Sequence, residues 1–189
     1  YREVGRAMHL VTTNESKVLV DCGAKPTNNR SEVQPFFAAP EMLPLDNIDA
    51  VVITHAHVDH IGMLPVLFRY GYKGPVYCTQ PTRDLMTLLQ MDYIKVAQAE
   101  GNEAPYSKSD IQECIKHVVD VNWGEKTDIA PDIKMTMENA GHILGSSSVY
   151  MQIGEGRTEH KLLFSGDIKY EKSWLFDAAT VRFNKVDTL

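Results

Sequence analysis

The chain has 189 residues, of which 43% are hydrophobic, so it can form one compact domain with a sizeable core. Acidic residues outnumber basic residues by 25 to 19, and the net charge of −6 argues against a free-standing domain that binds nucleic acid through an overall basic surface. The sequence has no apolar run near the roughly 18 residues of a membrane span, and its N-terminus lacks a signal-peptide layout. We therefore expect a cytoplasmic protein without a membrane partner, and three widely spaced cysteines fit a reducing compartment.

The first part of the chain is predicted to form strands and a loop. Two short strands, residues 8–12 and 17–21, are joined by an Asn-Glu-Ser turn. The proline-rich stretch 24–47 is predicted to be a loop with at most a short helical turn. Residues 49–55 (DAVVITH) are continuously apolar at their centre, which is typical of a strand covered on both faces.

Helices dominate the middle of the chain. A short helix in HIGMLPVLFRYGYKG is stopped by a glycine, and the buried strand PVYCT follows. Thr82 is predicted to open a long helix that ends at Gly101. Ser107 and Asp110 resemble a capping box, and Val118 is predicted to lie on the apolar face of the helix that this box begins.

After Trp123 the hydrophobic pattern changes to period two. Residues 133–137, 149–153 and 161–167 are predicted strands, and a glycine-rich turn around GEGR joins the last two. Strands, then helices, then strands indicate an α/β fold with sheets packed on each other and helices outside.

The segment HAHVDH, residues 55–60, concentrates possible metal ligands directly after a strand. In an extended chain alternate side chains share a side, so His55, His57 and Asp59 can converge, while His60 begins the next helix and points elsewhere. Imidazole and carboxylate groups without a nearby thiolate are ligands typical of a catalytic zinc site or a related metal site. The plainer interpretation is a loop with surface histidines.

Three further residues can complete such a site. His142 lies between glycines in NAGHILGSS, Asp167 ends the predicted strand LLFSGD, and Asp21 ends VLVDCG. Each alone has an ordinary interpretation as a structural histidine or as a cap of a turn. However, four ligands on one segment cannot complete two metal sites, so additional ligands are required from elsewhere.

Together these motifs resemble the metallo-β-lactamase superfamily. The flanking stretches REVGR, DAVVITHAHVDHIGMLP, YGYKGPVYCTQPTRDLMTLLQMDY, EAPYS and FSGDIKYE resemble its β-CASP branch, in particular archaeal nucleases like the cleavage and polyadenylation specificity factor. The resemblance implies an αββα sandwich, with residues 1–189 as a partial metallo-β-lactamase domain. It implies that this is the N-terminal part of the domain, which lacks the β-CASP insertion.

The resemblance also implies two Zn²⁺ ions. His55, His57 and His142 would hold one ion, and Asp59 and His60 would hold the other. The last histidine of the second site comes from a later part of the family's chain. We therefore expect the second site to be incomplete here.

Two further aspartates receive roles from the resemblance. Asp167 would bridge the two zinc ions, and Asp21 would orient the ligand loop as an outer carboxylate. Asp59, His60 and Asp167 would be catalytic, with Asp59 orienting the attacking hydroxide and taking its proton.

These expectations lead to one main hypothesis and two alternatives. The main hypothesis is a zinc-dependent phosphodiesterase that cleaves RNA in 3′-end processing, transcription termination or decay. One alternative is a hydrolase of the same fold that acts on a small thioester or amide, because the metal ligands would be the same. The other is a non-catalytic module. A homodimer through parts absent from this chain is also left open.

Overall fold

The computed structural model describes residues 5–25 and 39–189. Two β-sheets pack face to face, and the α-helices of the described residues cover the outer side of the first sheet. Helix, sheet and sheet are three layers of the expected αββα sandwich.

The first sheet, sheet A, has five strands in chain order. The hairpin of β1 (His9–Thr12) and β2 (Lys17–Val20) is antiparallel. The next three strands run parallel to β2: β3 (Ala50–Val52), β4 (Val76–Cys78) and β5 (Val118–Asp120). The carboxyl ends of β2, β3 and β4 therefore meet at one edge of the sheet.

The second sheet, sheet B, is an antiparallel meander. Its strands are β6 (Lys126–Ala130), β7 (Ile133–Asn139), β8 (Ser147–Ile153) and β9 (His160–Phe164). Alternate residues of β7 are buried against sheet A, because side chains of a strand point to opposite faces in turn.

Four α-helices of the described residues connect the strands of sheet A. They are α1 (Val58–Ile61), α2 (Leu64–Arg69), α3 (Gln80–Ala99) and α4 (Lys108–Lys116). Single 3₁₀ turns occupy Pro40–Met42, Leu45–Asn47 and Gly156–Thr158.

Sheet A separates two apolar cores. Leu19 and Val51 point toward the helices, where they pack with side chains such as Leu64. Val18 and Val52 point toward Met135 and the rest of sheet B. The strands of sheet A are thus covered on both faces, which explains why their sequences are continuously apolar.

Two predicted helix boundaries were wrong. The long helix begins at Gln80 rather than at Thr82, because the Thr79 side chain caps it by accepting a hydrogen bond from the backbone N–H of Thr82. Val118 lies in β5, not on the preceding helix, because that helix ends at Lys116 and Val118 pairs with Val76 of β4.

Two strand predictions also need correction. Strand β6 was missed, and β9 ends at Phe164, so Asp167 lies three residues beyond the strand. Within the predicted loop 24–47, the two 3₁₀ turns agree with the expectation, whereas residues 26–38 lie outside the described residues. Residues 1–4, which include the first three residues of REVGR, also lie outside them.

Candidate metal centre

The candidate centre lies where strand ends of the two sheets meet. Asp21 follows β2 and Thr54 follows β3 in sheet A, whereas His142 follows β7 in sheet B. The backbone N–H of Ser147, at the start of β8, donates a hydrogen bond of 2.8 Å to the carbonyl of Thr54. Residues distant in sequence are thereby held at one edge of the sandwich.

Backbone hydrogen bonds hold the 55–60 segment against the chain that follows β2. The N–H of Cys22 donates to the carbonyl of His60 over 2.7 Å, and the N–H of Ala24 donates to Val58 over 2.9 Å. Gly23 lies between these bonds, so close that a Cβ there would be 1.5 Å from the carbonyl oxygen of Asp59. The 55–60 segment can therefore approach this closely only because residue 23 has no side chain.

Three imidazoles converge as the first donor set. His57 Nδ1 lies 3.0 Å from His55 Nε2 and 3.1 Å from His142 Nε2. Asp167 Oδ2 completes the set at 3.8 Å from His55 Nε2 and 3.5 Å from His142 Nε2, and all four atoms lie within 4.8 Å of one another. Ligand atoms of a tetrahedral zinc site are about 3.3 Å apart when bonds are about 2.0–2.1 Å, so this set fits such an ion.

A second donor set lies beside the first. His60 Nε2 is 3.7 Å from Asp59 Oδ2 and 3.7 Å from Asp167 Oδ1. Asp167 therefore turns one carboxylate oxygen toward each set. Both sets contain the imidazole and carboxylate donors that zinc accepts, and the bridging role of Asp167 stays a prediction.

A buried network orients two of the rings. Asp21 is 2% exposed, and its Oδ2 accepts a hydrogen bond from His60 Nδ1 over 2.7 Å. Thr54 donates its N–H and hydroxyl to the same carboxylate, over 2.8 and 2.9 Å, and its hydroxyl oxygen lies 3.0 Å from His55 Nδ1. These partners assign the ring protons to Nδ1, so each Nε2 keeps its lone pair for the donor set.

The tight turn that presents His142 is held by its own side chains. Gly141 has φ +69°, and the Asn139 side chain accepts a hydrogen bond from its N–H. Ser146 Oγ accepts hydrogen bonds from the N–H groups of His142 and Ile143, over 3.1 and 3.2 Å. This turn aims the His142 ring at the 55–60 segment.

The histidines differ in their affinity for protons. Burial, together with His60, His57 and His142 nearby, lowers the pKa of His55 to about 2. Burial also lowers the pKa of His142 despite the opposing charge of Asp167. For His60, burial acts to lower the pKa, but the hydrogen bond and charge of Asp21, together with the charges of Asp59 and Asp167, raise it overall. His60 thus holds its proton more firmly than His55 or His142.

The structure brings all six predicted ligand residues to one place, with Asp21 directly behind them. The six are His55, His57, Asp59, His60, His142 and Asp167. Thr54, Gly23 and Ser146 were not predicted from the sequence to belong to the site. The only signal for Thr54 was a hydroxyl directly before the first histidine, which carries no information about its partner Asp21.

A sequence profile described as the metallo-beta-lactamase superfamily domain matches residues 10–186, which is nearly the whole chain. This chain belongs to the metallo-β-lactamase superfamily. The fold of the superfamily binds divalent metals and is generally that of metal-dependent hydrolases. The family and fold class expected from the sequence are therefore confirmed.

Archaeal relatives of this superfamily domain are similar over the whole chain. Proteins named transcription termination factor FttA are 51% identical in Methanosarcina mazei, 50% in Methanocaldococcus jannaschii and 49% in Thermococcus kodakarensis. The chain spans only 29%, 29% and 30% of these proteins, respectively. The resemblance to the archaeal β-CASP branch is thus confirmed.

Solved metallo-β-lactamases share the fold at low sequence identity. The Rm3 enzyme matches with a TM-score of 0.55 and 20% identity, over 90% of this chain and 62% of its own. The subclass B3 enzyme MEM-A1 matches with a TM-score of 0.56 and 16% identity, over 91% and 64%. Among the described residues of this superfamily member, no helix is long and apolar enough to cross a membrane.

Proposed function

We propose that this domain is the metal-binding part of a zinc-dependent phosphodiesterase that cleaves RNA during transcription termination or 3′-end processing. The observation that carries the proposal is the position of Asp167, whose two oxygens face two separate donor sets. The relatives named as transcription termination factors support RNA as the substrate.

The two donor sets suit a displacement at phosphorus. Two bound divalent cations would stabilise the phosphoryl oxygens and lower the pKa of the attacking water. His55, His57 and His142 present lone pairs to the first position, and His60 presents Nε2 to the second. Asp21 holds the ring of His60 in that orientation.

Asp59 is the group proposed to accept the proton of the attacking water. Its side chain is 27% exposed, and Oδ2 faces His60 Nε2 at 3.7 Å. The carboxylate can orient a water molecule beside the substrate and accept its proton. A cavity of about 800 Å³, lined by Asp59, His60 and Asp167 among others, gives solvent access to the second donor set.

The proposal is tested by metal content and cleavage together. The 189-residue chain is assayed beside a chimera in which it replaces the matching segment of the Methanosarcina mazei relative. His57→Ala should remove zinc from the first donor set and abolish RNA cleavage, because one of its three imidazoles is lost. His160→Ala, an exposed histidine outside both sets, is the matched control and should change neither.

The same assay separates the alternatives. Thioester and amide substrates are offered in parallel with RNA. Hydrolysis of these without RNA cleavage would favour a small-molecule hydrolase, and bound zinc without any hydrolysis would favour a non-catalytic module. RNA cleavage that persists in full after metal removal contradicts the proposal. The number of zinc ions, a cytoplasmic location and a homodimer stay predictions.

A further inference from the structure

A loop that begins directly after Asp167 is fixed at both of its ends. The N–H of Lys169 donates to the carbonyl of Ala140 over 2.9 Å, and the N–H of Ala179 donates to the carbonyl of Lys169 over 2.9 Å. Ala140 lies two residues before His142. The N–H of Thr180 also donates to the carbonyl of Asn139 over 2.8 Å, so both ends of the loop are anchored on the segment that precedes His142.

This loop, from its start at Tyr170 to its tip at Trp174 and Leu175, exposes large apolar side chains. Trp174 is 104% exposed, Leu175 is 83% exposed and Tyr170 is 68% exposed. The N–H and hydroxyl of Ser173 hydrogen-bond with the backbone of Phe176, which keeps the tip turned. Clustered exposed aromatic and aliphatic side chains commonly mark a binding surface, because exposing them to water is unfavourable.

The position of the tip relates it to the candidate centre. Trp174 is five residues from each anchored end, and Lys169 is two residues from Asp167. At about 3.5 Å per residue, the Cα of Trp174 lies at most about 24 Å from that of Asp167. A strand of RNA held at the donor sets can therefore reach the tip within a few nucleotides.

The chemistry of the tip matches single-stranded nucleic acid. Rings of Tyr170 and Trp174 can stack on bases of any sequence. Lys169 and Lys172 are exposed beside them, although Lys172 pairs with Asp177 over 2.9 Å. Charged residues lie between the two aromatic residues in the sequence. This spacing fits a partner with separate bases along a strand better than a protein partner with one continuous apolar face.

Resting on the proposed function, we propose that Tyr170 and Trp174 form a platform on which bases of the RNA substrate stack, within a few nucleotides of the metal centre. Trp174→Ala should weaken RNA binding about tenfold, and Trp174→Phe should retain most of the affinity because a ring remains. Tyr70→Ala is the matched control. Tyr70 is 70% exposed but precedes β4, at the opposite edge of sheet A from the candidate ligands.

The test measures fluorescence anisotropy of a labelled, cleavage-resistant 2′-O-methyl phosphorothioate oligouridylate with the zinc-supplemented chain. A second oligonucleotide carries abasic sugars in place of the bases. Wild type and Trp174→Ala should bind the abasic strand equally, because stacking requires a base. In a Trp123→Phe background, where Trp174 is the remaining tryptophan, the oligouridylate should quench the fluorescence and the abasic strand should not.

Three results would overturn the platform. The first is unchanged affinity of Trp174→Ala for the oligouridylate, which leaves the proposed nuclease intact if wild type still cleaves RNA. The second is equal weakening on the abasic strand, which indicates a contact with the backbone. The third is self-association of the wild-type chain that Trp174→Ala abolishes without changing RNA affinity, which indicates a protein interface. Absence of any RNA binding by wild type contradicts platform and proposed function together.

Discussion

Replacing Gly23 by alanine should separate the ligand segment from the chain that follows β2. The added Cβ would lie 1.5 Å from the carbonyl oxygen of Asp59 and 2.8 Å from the backbone nitrogen of His60. Real Cβ contacts are essentially never under 3.0 Å, and backbone atoms cannot turn aside as a flexible side chain can. The segment that contains Asp59 must therefore retreat by about 1.5 Å.

The size of the effect follows from the hydrogen bonds that this retreat breaks. Bonds from Cys22 to His60, from Ala24 to Val58 and from Ala7 to Asp59 measure 2.7, 2.9 and 2.9 Å. All three would lengthen past the limit of a useful hydrogen bond. At about 1 kcal/mol for each bond, and more where a buried group is left unpaired, the free energy of unfolding should fall by about 3–5 kcal/mol.

Thermal unfolding and zinc content measure this prediction. A loss of about 3–5 kcal/mol lowers the melting temperature of a domain of this size by about 10 °C or more. The second donor set should lose its zinc, because Asp59 and His60 both move. Gly124→Ala is the control. Gly124 has φ +76°, but no atom lies near a Cβ added there. We therefore expect the free energy of unfolding to fall by about 1 kcal/mol and the zinc content to stay unchanged. Wild-type melting and zinc content in Gly23→Ala would refute the reasoning.

Three further predictions concern charge at the centre. Asp21→Asn should lower the pKa of His60 and remove one equivalent of bound zinc. NMR titration measures the pKa and metal analysis measures the zinc content. An unchanged pKa of His60 would contradict the prediction. The pKa of His55 is about 2 in the folded chain and about 6.5 in the unfolded chain. Below about pH 6.5 the unfolded zinc-free chain therefore binds more protons than the folded chain. This difference lowers the free energy of unfolding by about 2 kcal/mol near pH 5. Urea unfolding should show this loss in wild type relative to His55→Gln. Asp167→Ala should weaken zinc binding at both sets by about tenfold or more, as measured by competition with a chelator, whereas the exposed Asp177→Ala should not.

The fold was predictable where local pattern and burial coincide. Strands β3 and β7 were predicted correctly, because β3 is covered on both faces and β7 is buried at alternate residues. Strand β6 was missed because it is an outer strand in which only Ile129 is buried, so its sequence has little apolar signal. Val118 was misassigned because its pairing with β4 depends on a contact distant in sequence, which helical spacing cannot reveal.

The candidate site was predictable at its ligands and not at their supports. Histidine and aspartate at close spacing indicate metal chemistry directly, as at His55 and His57. The support from Thr54 depends on a hydroxyl that meets Asp21, and the support from Gly23 depends on the absence of a side chain where Asp59 approaches. Neither a hydroxyl nor a glycine is unusual in a sequence. Only the packing of the two segments against each other gives these residues a role.

The charge of a metal-loaded centre would reconcile the acidic chain with the anionic substrate of the proposed function. Asp21, Asp59 and Asp167 place three carboxylates around the His60 ring, and their charges act to raise the pKa of that ring. Two divalent cations held by the donor sets would outweigh these three negative charges and give the centre a net positive charge. The overall charge of −6 would then limit nonspecific attraction of RNA elsewhere on the surface, while the cations would attract a phosphodiester to the centre. Metal loading would thus control both the chemistry and the place where RNA binds.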